Sequence, residues 1–353
     1  MELERLGYQS QFEYFRREHN LSEQEIGRII TERKDRYVIK TIENEYEVFI
    51  TGSMRYNAKS REDFPVVGDW VSLKINDGSS AVIRNIFPRY SSITRRAVGK
   101  FGKSQLIASN IDKALIVQAA SRDFNINRIE RYLVICNESR VDPIIVLSKI
   151  DLVDEEELNN IIENLKSRVK NHPVISISNK TMSGIKRVNK YIQPCLTYCL
   201  LGSSGAGKSS LLNNLTGDAT MKTDYVSDFT GKGVHVTSHR EMIFLNSGGI
   251  IIDNPGLREV GIADSEQGIE ITYEKIHLLS QDCKFRDCTH SHESDCSVKN
   301  AVNNGELEAE ILENYLILEN EKKHFESSIE ERRRKDKSLG KLIKNAISNK
   351  KRK

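Results

Sequence analysis

Residues Gly202–Ser209 read Gly-Ser-Ser-Gly-Ala-Gly-Lys-Ser, and this octapeptide is the strongest indication of the fold in the chain. Its spacing is that of a phosphate-binding loop, with two glycines five positions apart followed by lysine and a hydroxyl. Glycines let the backbone turn so that successive N–H groups point inward at phosphate oxygens. The apolar run Tyr198–Leu201 precedes the loop, and a helical pattern follows it over 209–215. The sequence therefore predicts a strand, a phosphate loop and a helix.

The predicted ligand of this loop is a nucleoside triphosphate with its magnesium ion. Lys208 would reach the β- and γ-phosphates, and the Ser209 hydroxyl would bind Mg²⁺. Asp253 follows an apolar strand and suits Mg²⁺, directly or through water, and the N–H of Gly256 would contact the γ-phosphate. The predicted phosphate-binding residues of the loop and the adjoining helix are Gly202, Ser203, Ser204, Gly205, Ala206, Gly207, Lys208, Ser209 and Ser210.

A second motif, Ser-Lys-Ile-Asp at 148–151, indicates that the nucleotide carries guanine. The carboxylate of Asp151 can accept hydrogen bonds from N1–H and the exocyclic amine of guanine, whereas adenine leaves that carboxylate unpaired. The stem of Lys149 can cover the base. Ser148 stands where asparagine is usual and can tie neighbouring loops together with less reach. The residues predicted to form the base pocket are Ser148, Lys149, Asp151, Ser178 and Asn179.

The order of the motifs is unusual. The guanine motif precedes the phosphate loop by about fifty residues, whereas in a Ras-like protein it comes well after that loop. The tetrapeptide Asp-Asn-Pro-Gly at 253–256 comes last. This order is that of a circularly permuted GTPase.

The pattern of strand-like and helix-like segments along the chain predicts a multidomain α/β protein. We expect a short helical extension over 1–34, then a small β-barrel over 35–98, for example an OB-fold, with an SH3-like barrel as the alternative. Alternating strands and helices over 99–268 predict a doubly wound parallel sheet that binds its ligand at the carboxyl ends of the strands. A zinc-binding and helical domain over 269–330 and a basic tail over 331–353 complete the chain.

Length, composition and charge indicate how many domains the protein has, where it acts and what kind of partner it binds. Its 353 residues suffice for two or three domains, and 29 % charged with 38 % hydrophobic residues suits a soluble protein. Because no apolar run reaches the ~20 residues that span a bilayer, and the start lacks the build of a secretory signal, we expect a cytoplasmic protein with no membrane partner. The segment 331–353 carries a net charge of +9, which leaves −6 for the remainder and indicates a polyanionic partner, with a solvated terminus as the alternative.

Three cysteines and a histidine form the spacing Cys283-x4-Cys288-x-His290-x5-Cys296. Three thiolates and an imidazole within fourteen residues are the ligand set of a closed structural zinc site, and a full shell leaves no place for a catalytic water. His292 is a rival ligand on the same loop, and free thiols are the alternative to a metal.

Taken together, the sequence resembles the family of ribosome small-subunit-dependent GTPase A, also called RsgA or YjeQ, over about residues 35–300. The resemblance is carried by the permuted motif order and the Cys/His spacing. Four further stretches also carry it, namely Val67–Val71, Phe87–Arg89, Asp123–Leu133 and Gly231–Ser238.

The resemblance implies a monomeric GTPase that binds the 30S ribosomal subunit and its 16S rRNA late in maturation. It would hydrolyse GTP to GDP and phosphate, and the subunit would stimulate that step. Leu257 stands where a Ras-like enzyme has a water-orienting glutamine, and the resemblance points instead to His235 on switch I. Since Val236 occupies the usual threonine position, Thr237 is the expected contact to Mg²⁺ or γ-phosphate.

Two other function classes remain open on the sequence. One is an RNA-binding module in which the bound nucleotide is only structural or regulatory. The other is an ATP-using kinase or transporter ATPase, which Asp151 and the lack of a membrane-spanning run disfavour.

Overall fold

The computed structural model describes residues 2–22, 24–33, 36–76, 81–96, 104–121, 124–169, 172–217, 240–253 and 265–323. The chain divides into two compact units, one formed by 1–95 with 105–260 and the other by 96–104 with 261–353. Across the described ranges, every helix is too short or too polar to cross a bilayer.

The strands of the described residues are numbered in chain order. They are β1 (Glu25–Arg33), β2 (Arg36–Lys40), β3 (Glu45–Phe49), β4 (Trp70–Ile75), β5 (Ala81–Ile86), β6 (Ser92–Arg96), β7 (Ser104–Ser109), β8 (Lys113–Ala119), β9 (Asp142–Ser148), β10 (Val174–Ser176), β11 (Thr197–Leu201), β12 (Arg240–Phe244) and β13 (Ile250–Asp253). The helices are α1 (Ser10–Glu18), α2 (Gly52–Asn57), α3 (Ile126–Glu138), α4 (Glu155–Arg168), α5 (Ile185–Tyr191), α6 (Lys208–Thr216), α7 (Glu266–Thr272), α8 (Glu274–Ser280), α9 (Ser297–Asn303) and α10 (309–323).

Half of the main sheet is parallel. Its strand order is β10-β9-β8-β11-β13, and each neighbouring pair in this series runs parallel. Apolar clusters cover both faces. The cluster containing Ile116 includes side chains of α3 and α4, whereas the cluster containing Val117 includes side chains of α5 and α6. Strands buried on both faces explain the continuous apolar runs in the sequence, and the doubly wound arrangement agrees with the prediction.

Side-chain caps set the starts of the two long helices on the first face. The Asn125 carboxamide accepts a hydrogen bond from the Arg128 N–H at 3.1 Å, and α3 begins at the next residue. The Asp154 carboxylate accepts a hydrogen bond from the Glu157 N–H at 2.8 Å, and α4 begins at the residue after Asp154. Such caps satisfy N–H groups that have no partner inside the helix.

The N-terminal part of the first unit is an antiparallel sheet in the order β3-β2-β1-β4-β5, and its strands share one core cluster. The sequence predicted a helical extension over 1–34, but residues 25–33 form the strand β1. This segment is rich in β-branched residues, which favour strands. It pairs with β2, the next strand in the chain, and with the distant strands β4 and β12, which local periodicity does not report.

β1 also joins the two halves of the sheet. It pairs with β12 through Thr31 opposite Glu241 and Glu32 opposite Arg240, while β12 pairs with β13. The Arg240 guanidinium reinforces this junction with a 2.7 Å contact to the Glu32 carboxylate. The antiparallel and parallel halves therefore form one sheet of eleven strands, and β6 with β7 forms a separate two-stranded sheet.

Over residues 265–323, the second unit consists of the helices α7 to α10 and the segments that connect them, of which the loop 281–296 is the longest. Val298 of α9 and Leu312 and Leu318 of α10 are buried. The Asn314 carboxamide donates to the Tyr273 hydroxyl at 2.7 Å, which links α10 to the end of α7.

Prediction: a buried ion pair between α3 and α4 stabilises the first unit. The Arg168 guanidinium contacts both oxygens of Glu130 at 2.8 and 2.9 Å, and the two side chains are 1 % and 4 % exposed. Arg168→Met should lower the free energy of unfolding by about 3–5 kcal/mol, because it removes the guanidinium that faces a buried carboxylate. Urea denaturation followed by far-UV circular dichroism measures this loss.

The matched control is Arg17→Met, since Arg17 is 78 % exposed and lies 3.6 Å from Glu13 on α1. Its expected cost is about 0–1 kcal/mol, as for other exposed pairs. Equal losses for the two variants would contradict the assignment of stability to the buried pair.

Candidate functional site

The predicted nucleotide-binding residues that the structure describes lie at one edge of the parallel sheet. The segment 148–151 follows β9, 178–179 follows β10, 202–209 follows β11, and Asp253 ends β13. Because neighbouring parallel strands end on the same side, these four segments are brought to a common edge. The sheet order, rather than the chain order, makes them neighbours.

The phosphate loop has the backbone that its glycines predict. Gly202 has φ +141° and Gly207 has φ +90°. A Cβ on Gly202 would lie 2.2 Å from the Val117 carbonyl oxygen of β8, so only glycine fits there. α6 begins at Lys208, whose ammonium donates to the carbonyls of Gly202 at 2.8 Å and Ser203 at 2.6 Å. Ser209 and Ser210 lie in the first turn of this helix.

The base-side segments are tied to each other and to the phosphate loop. The Ser148 hydroxyl is buried and donates to the Ala206 carbonyl at 2.6 Å. The Ser178 hydroxyl donates to the Asp151 carboxylate at 2.5 Å and accepts from the Thr181 N–H at 3.1 Å. These contacts fix the direction of the Asp151 carboxylate relative to the loop.

Two asparagines, Asn179 and Asn214, bridge the same segments, and only Asn179 was predicted from the sequence. The Asn179 carboxamide donates to the Gly207 carbonyl at 3.1 Å. The Asn214 carboxamide, on α6, donates to the Asn179 carbonyl at 3.3 Å and to its side-chain oxygen at 3.1 Å. The available signal was an asparagine beside buried leucines in the helix after the loop.

Asp253 ends β13, half-buried and opposite Glu241 of β12. The predicted γ-phosphate contact Gly256 and the predicted switch residues His235 and Thr237 lie outside the described residues, as does the basic tail 331–353.

The predicted metal-ligating residues also converge. One ligand atom from each of Cys283, Cys288, His290 and Cys296 lies within 4.8 Å of all the others. The Cys283 sulfur lies 3.7 Å from the His290 Nδ1 and 3.8 Å from the Cys296 sulfur. His290, rather than His292, belongs to this cluster. All six cysteines are free of disulfide bonds.

The local electrostatics favour the metal-binding form of two of the four residues, His290 and Cys283. Burial lowers the pKa of His290, which favours the neutral imidazole that a metal requires. Burial alone would raise the pKa of Cys283, but the hydrogen bonds from the Val298 and Ser297 N–H groups and those of the neighbouring thiols together lower that pKa. Burial raises the pKa of Cys288 to about 11. The four residues therefore form a candidate metal site.

Glu293 organises the loop between the ligands and was not singled out by the sequence. Its carboxylate accepts from the Thr289 hydroxyl at 2.6 Å and N–H at 2.8 Å, and from the N–H groups of Ser291 and His292 at 3.0 and 3.1 Å. These hydrogen bonds hold the pKa of Glu293 far below its usual range, and the one from the Thr289 hydroxyl has the largest effect. Its carboxylate thus closes the turn that carries His290.

Comparisons with known proteins agree with this arrangement. The profile of the family described as RsgA GTPase matches residues 86–263. The small ribosomal subunit biogenesis GTPase RsgA 1 of Oceanobacillus iheyensis is 38 % identical, over 85 % of this chain and 86 % of that protein. The protein of the same name from Bacteroides thetaiotaomicron is 36 % identical, over 90 % of this chain and 88 % of that protein.

A solved structure gives the same result. The crystal structure of YloQ, described as a circularly permuted GTPase, matches with a TM-score of 0.62 and 25 % identity, over 87 % of this chain and 97 % of that one. The family profile covers half of the chain, and the curated relatives cover most of it. The chain therefore belongs to the RsgA GTPase family, and its motif order is that of a circularly permuted GTPase.

Proposed function

We propose that this protein assists late maturation of the 30S ribosomal subunit by hydrolysing GTP to GDP and phosphate, with stimulation by the subunit. One observation carries the nucleotide part of the proposal. The guanine motif, the 178–179 segment and the phosphate loop are hydrogen-bonded to one another at one sheet edge although they are scattered along the chain. The relatives named for small-subunit biogenesis support the choice of partner.

The proposed roles follow from the chemistry of each group. The N–H groups of 202–207 and the Lys208 ammonium bind the phosphates, and the positive end of α6 faces them. The Asp151 carboxylate accepts from guanine N1–H and its exocyclic amine, while the Lys149 stem covers the base. Ser178 holds the carboxylate in direction, and Asn179 closes the pocket beside it.

Magnesium would accompany the nucleotide and neutralise charge that develops on the phosphates. The oxygens of Ser209 and Asp253 would bind it, with Thr237 of switch I as a third contact. His235 would orient the attacking water, because Leu257 cannot form hydrogen bonds with its side chain.

The Cys/His cluster would hold one structural zinc ion. A tetrahedral zinc site with Zn–S bonds of about 2.3 Å has sulfur atoms about 3.8 Å apart. The separation of 3.8 Å between the Cys283 and Cys296 sulfurs fits this edge, and the 3.4 Å between the His290 Nδ1 and the Cys296 sulfur fits the shorter Zn–N bond. Four protein ligands leave no open position, so the ion would stabilise the loop and take no part in hydrolysis.

We propose that the antiparallel strands close as the OB-like barrel expected from the sequence, beginning at β1, and the core shared by all five strands supports this. The remaining boundaries are proposed near 98, 268 and 330. A barrel of this kind and the basic tail would contact 16S rRNA in the cytoplasm, with the protein acting as a monomer.

Prediction: purified 30S subunits should raise GTP hydrolysis by this protein at least tenfold. Phosphate release with and without subunits measures the effect, and Lys208→Ala should abolish both rates because the phosphates lose their cation. Negligible hydrolysis in both conditions with intact GTP binding would favour the alternative, an RNA-binding module with a structural nucleotide.

Prediction: His235→Ala should lower subunit-stimulated turnover by about 10²–10⁴-fold while leaving the dissociation constant of GTP unchanged, since it removes only the group that orients water. Single-turnover hydrolysis and equilibrium nucleotide binding separate the two effects. Turnover equal to that of the wild type would remove His235 from the mechanism.

Prediction: the purified protein should contain one zinc ion, and Cys296→Ser should release it by removing one thiolate of the set. Metal content by mass spectrometry and the visible spectrum of the cobalt-substituted protein measure this. Cys195→Ser is the matched control, because Cys195 lies outside the cluster. Full zinc content in Cys296→Ser would contradict the ligand assignment.

A further inference from the structure

We propose that Asn214 is a positioning residue for guanine selection, which it serves by fixing Asn179 between the base pocket and the phosphate loop. The inference rests on the proposed nucleotide site and adds a residue on α6 that would touch neither base nor phosphate. Asn214 and Asn179 are together called the asparagine bridge.

The hydrogen bonds of the bridge have a fixed direction. The Asn214 Nδ2 donates to both oxygens of Asn179, at 3.3 Å for the carbonyl and 3.1 Å for the side chain. With its side-chain oxygen so engaged, Asn179 presents its Nδ2 to the Gly207 carbonyl at 3.1 Å. Asn214 thus determines which end of the Asn179 carboxamide faces the phosphate loop.

The bridge acts on two consecutive peptide groups together with Ser148. The Ser148 hydroxyl holds the Ala206 carbonyl at 2.6 Å, and Asn179 holds the next carbonyl, that of Gly207. Because a trans peptide is planar, fixing a carbonyl fixes the following N–H in the opposite direction. Ser148 therefore orients the Gly207 N–H. Asn179 orients the Lys208 N–H together with the Leu211 N–H of α6, which also donates to the Gly207 carbonyl at 2.9 Å.

The same bridge reaches the base-reading carboxylate. Ser178 precedes Asn179 directly, and its hydroxyl donates to Asp151 at 2.5 Å. Anchoring the Asn179 backbone through Asn214 therefore restrains the segment that directs Asp151. The approach is close, since a Cβ on Gly207 would lie 2.9 Å from the Asn179 Nδ2, and the bridge needs glycine at that position.

α6 does not depend on Asn214 for its packing. Leu211, Leu212 and Leu215 are buried and belong to the core cluster beneath the parallel sheet. Alanine has a higher helix propensity than asparagine, so Asn214→Ala should keep α6 folded. What the substitution removes is the anchor for Asn179.

The test compares Asn214→Ala with Asn189→Ala, the same change at an exposed position of α5. Dissociation constants are measured for GDP and IDP, by displacement of fluorescently labelled GDP. IDP lacks the exocyclic amine, so it makes one of the two proposed bonds to Asp151. Asn214→Ala should weaken GDP binding about tenfold, as expected for lost hydrogen bonds, and should reduce the preference for GDP over IDP about threefold. Asn189→Ala should change neither.

Equal weakening of GDP and IDP would overturn the proposal, because a general disturbance of α6 leaves the preference unchanged. Unchanged GDP binding in Asn214→Ala would also overturn it. Should Asn214→Ala alter thermal unfolding, Asn214→Asp keeps the size of the side chain, removes the donor and is read in the same way. A wild-type protein that binds GDP and IDP equally would instead refute the proposed guanine site, which separates the two failures.

Discussion

The hydrogen-bonded ladder that holds β11 between β8 and β13 is the constraint on which the candidate site depends. Thr197–Cys199 pair with Ile250–Ile252 on one side, and Tyr198–Leu201 pair with Lys113–Ile116 on the other. This ladder places the phosphate loop beside the ends of β8 and β13, with β9 one strand beyond β8, whatever their order in the chain. The site thus needs the spatial order of the strands, which explains how a permuted sequence can assemble it.

The sequence predicted the part of the site that depends on strand ends. Segments that follow buried parallel strands share an edge, so the convergence of 148–151, 178–179 and 202–209 follows from local patterns alone. The bridge from Asn214 could not be predicted in this way, since it depends on the side-chain directions of two asparagines 35 residues apart. β1 was missed for a related reason, because two of its three strand partners, β4 and β12, lie far away in sequence.

A buried arginine side chain connects the N-terminal segment to the rest of the first unit. The Arg28 guanidinium is fully buried and donates to the carbonyls of Leu6, Gly68 and Asn110, at 2.6, 3.2 and 2.8 Å. Burial lowers the pKa of Arg28, yet arginine stays protonated in proteins. Three distant segments therefore meet at one charge, and an arginine in a β-prone run gives no sequence signal of this role.

Division of labour between Ser148 and Asn179 follows from the reach of their side chains. The serine side chain is short and carries one donor group, the hydroxyl, which donates to the Ala206 carbonyl. The neighbouring Gly207 carbonyl is held by the longer carboxamide of Asn179, from the other base-side segment. Two hydrogen bonds, from segments that follow two different strands, restrain the loop in more directions than one hydrogen bond from a single residue. The usual asparagine at 148 is thus replaced by a serine without leaving the phosphate loop detached from the base pocket.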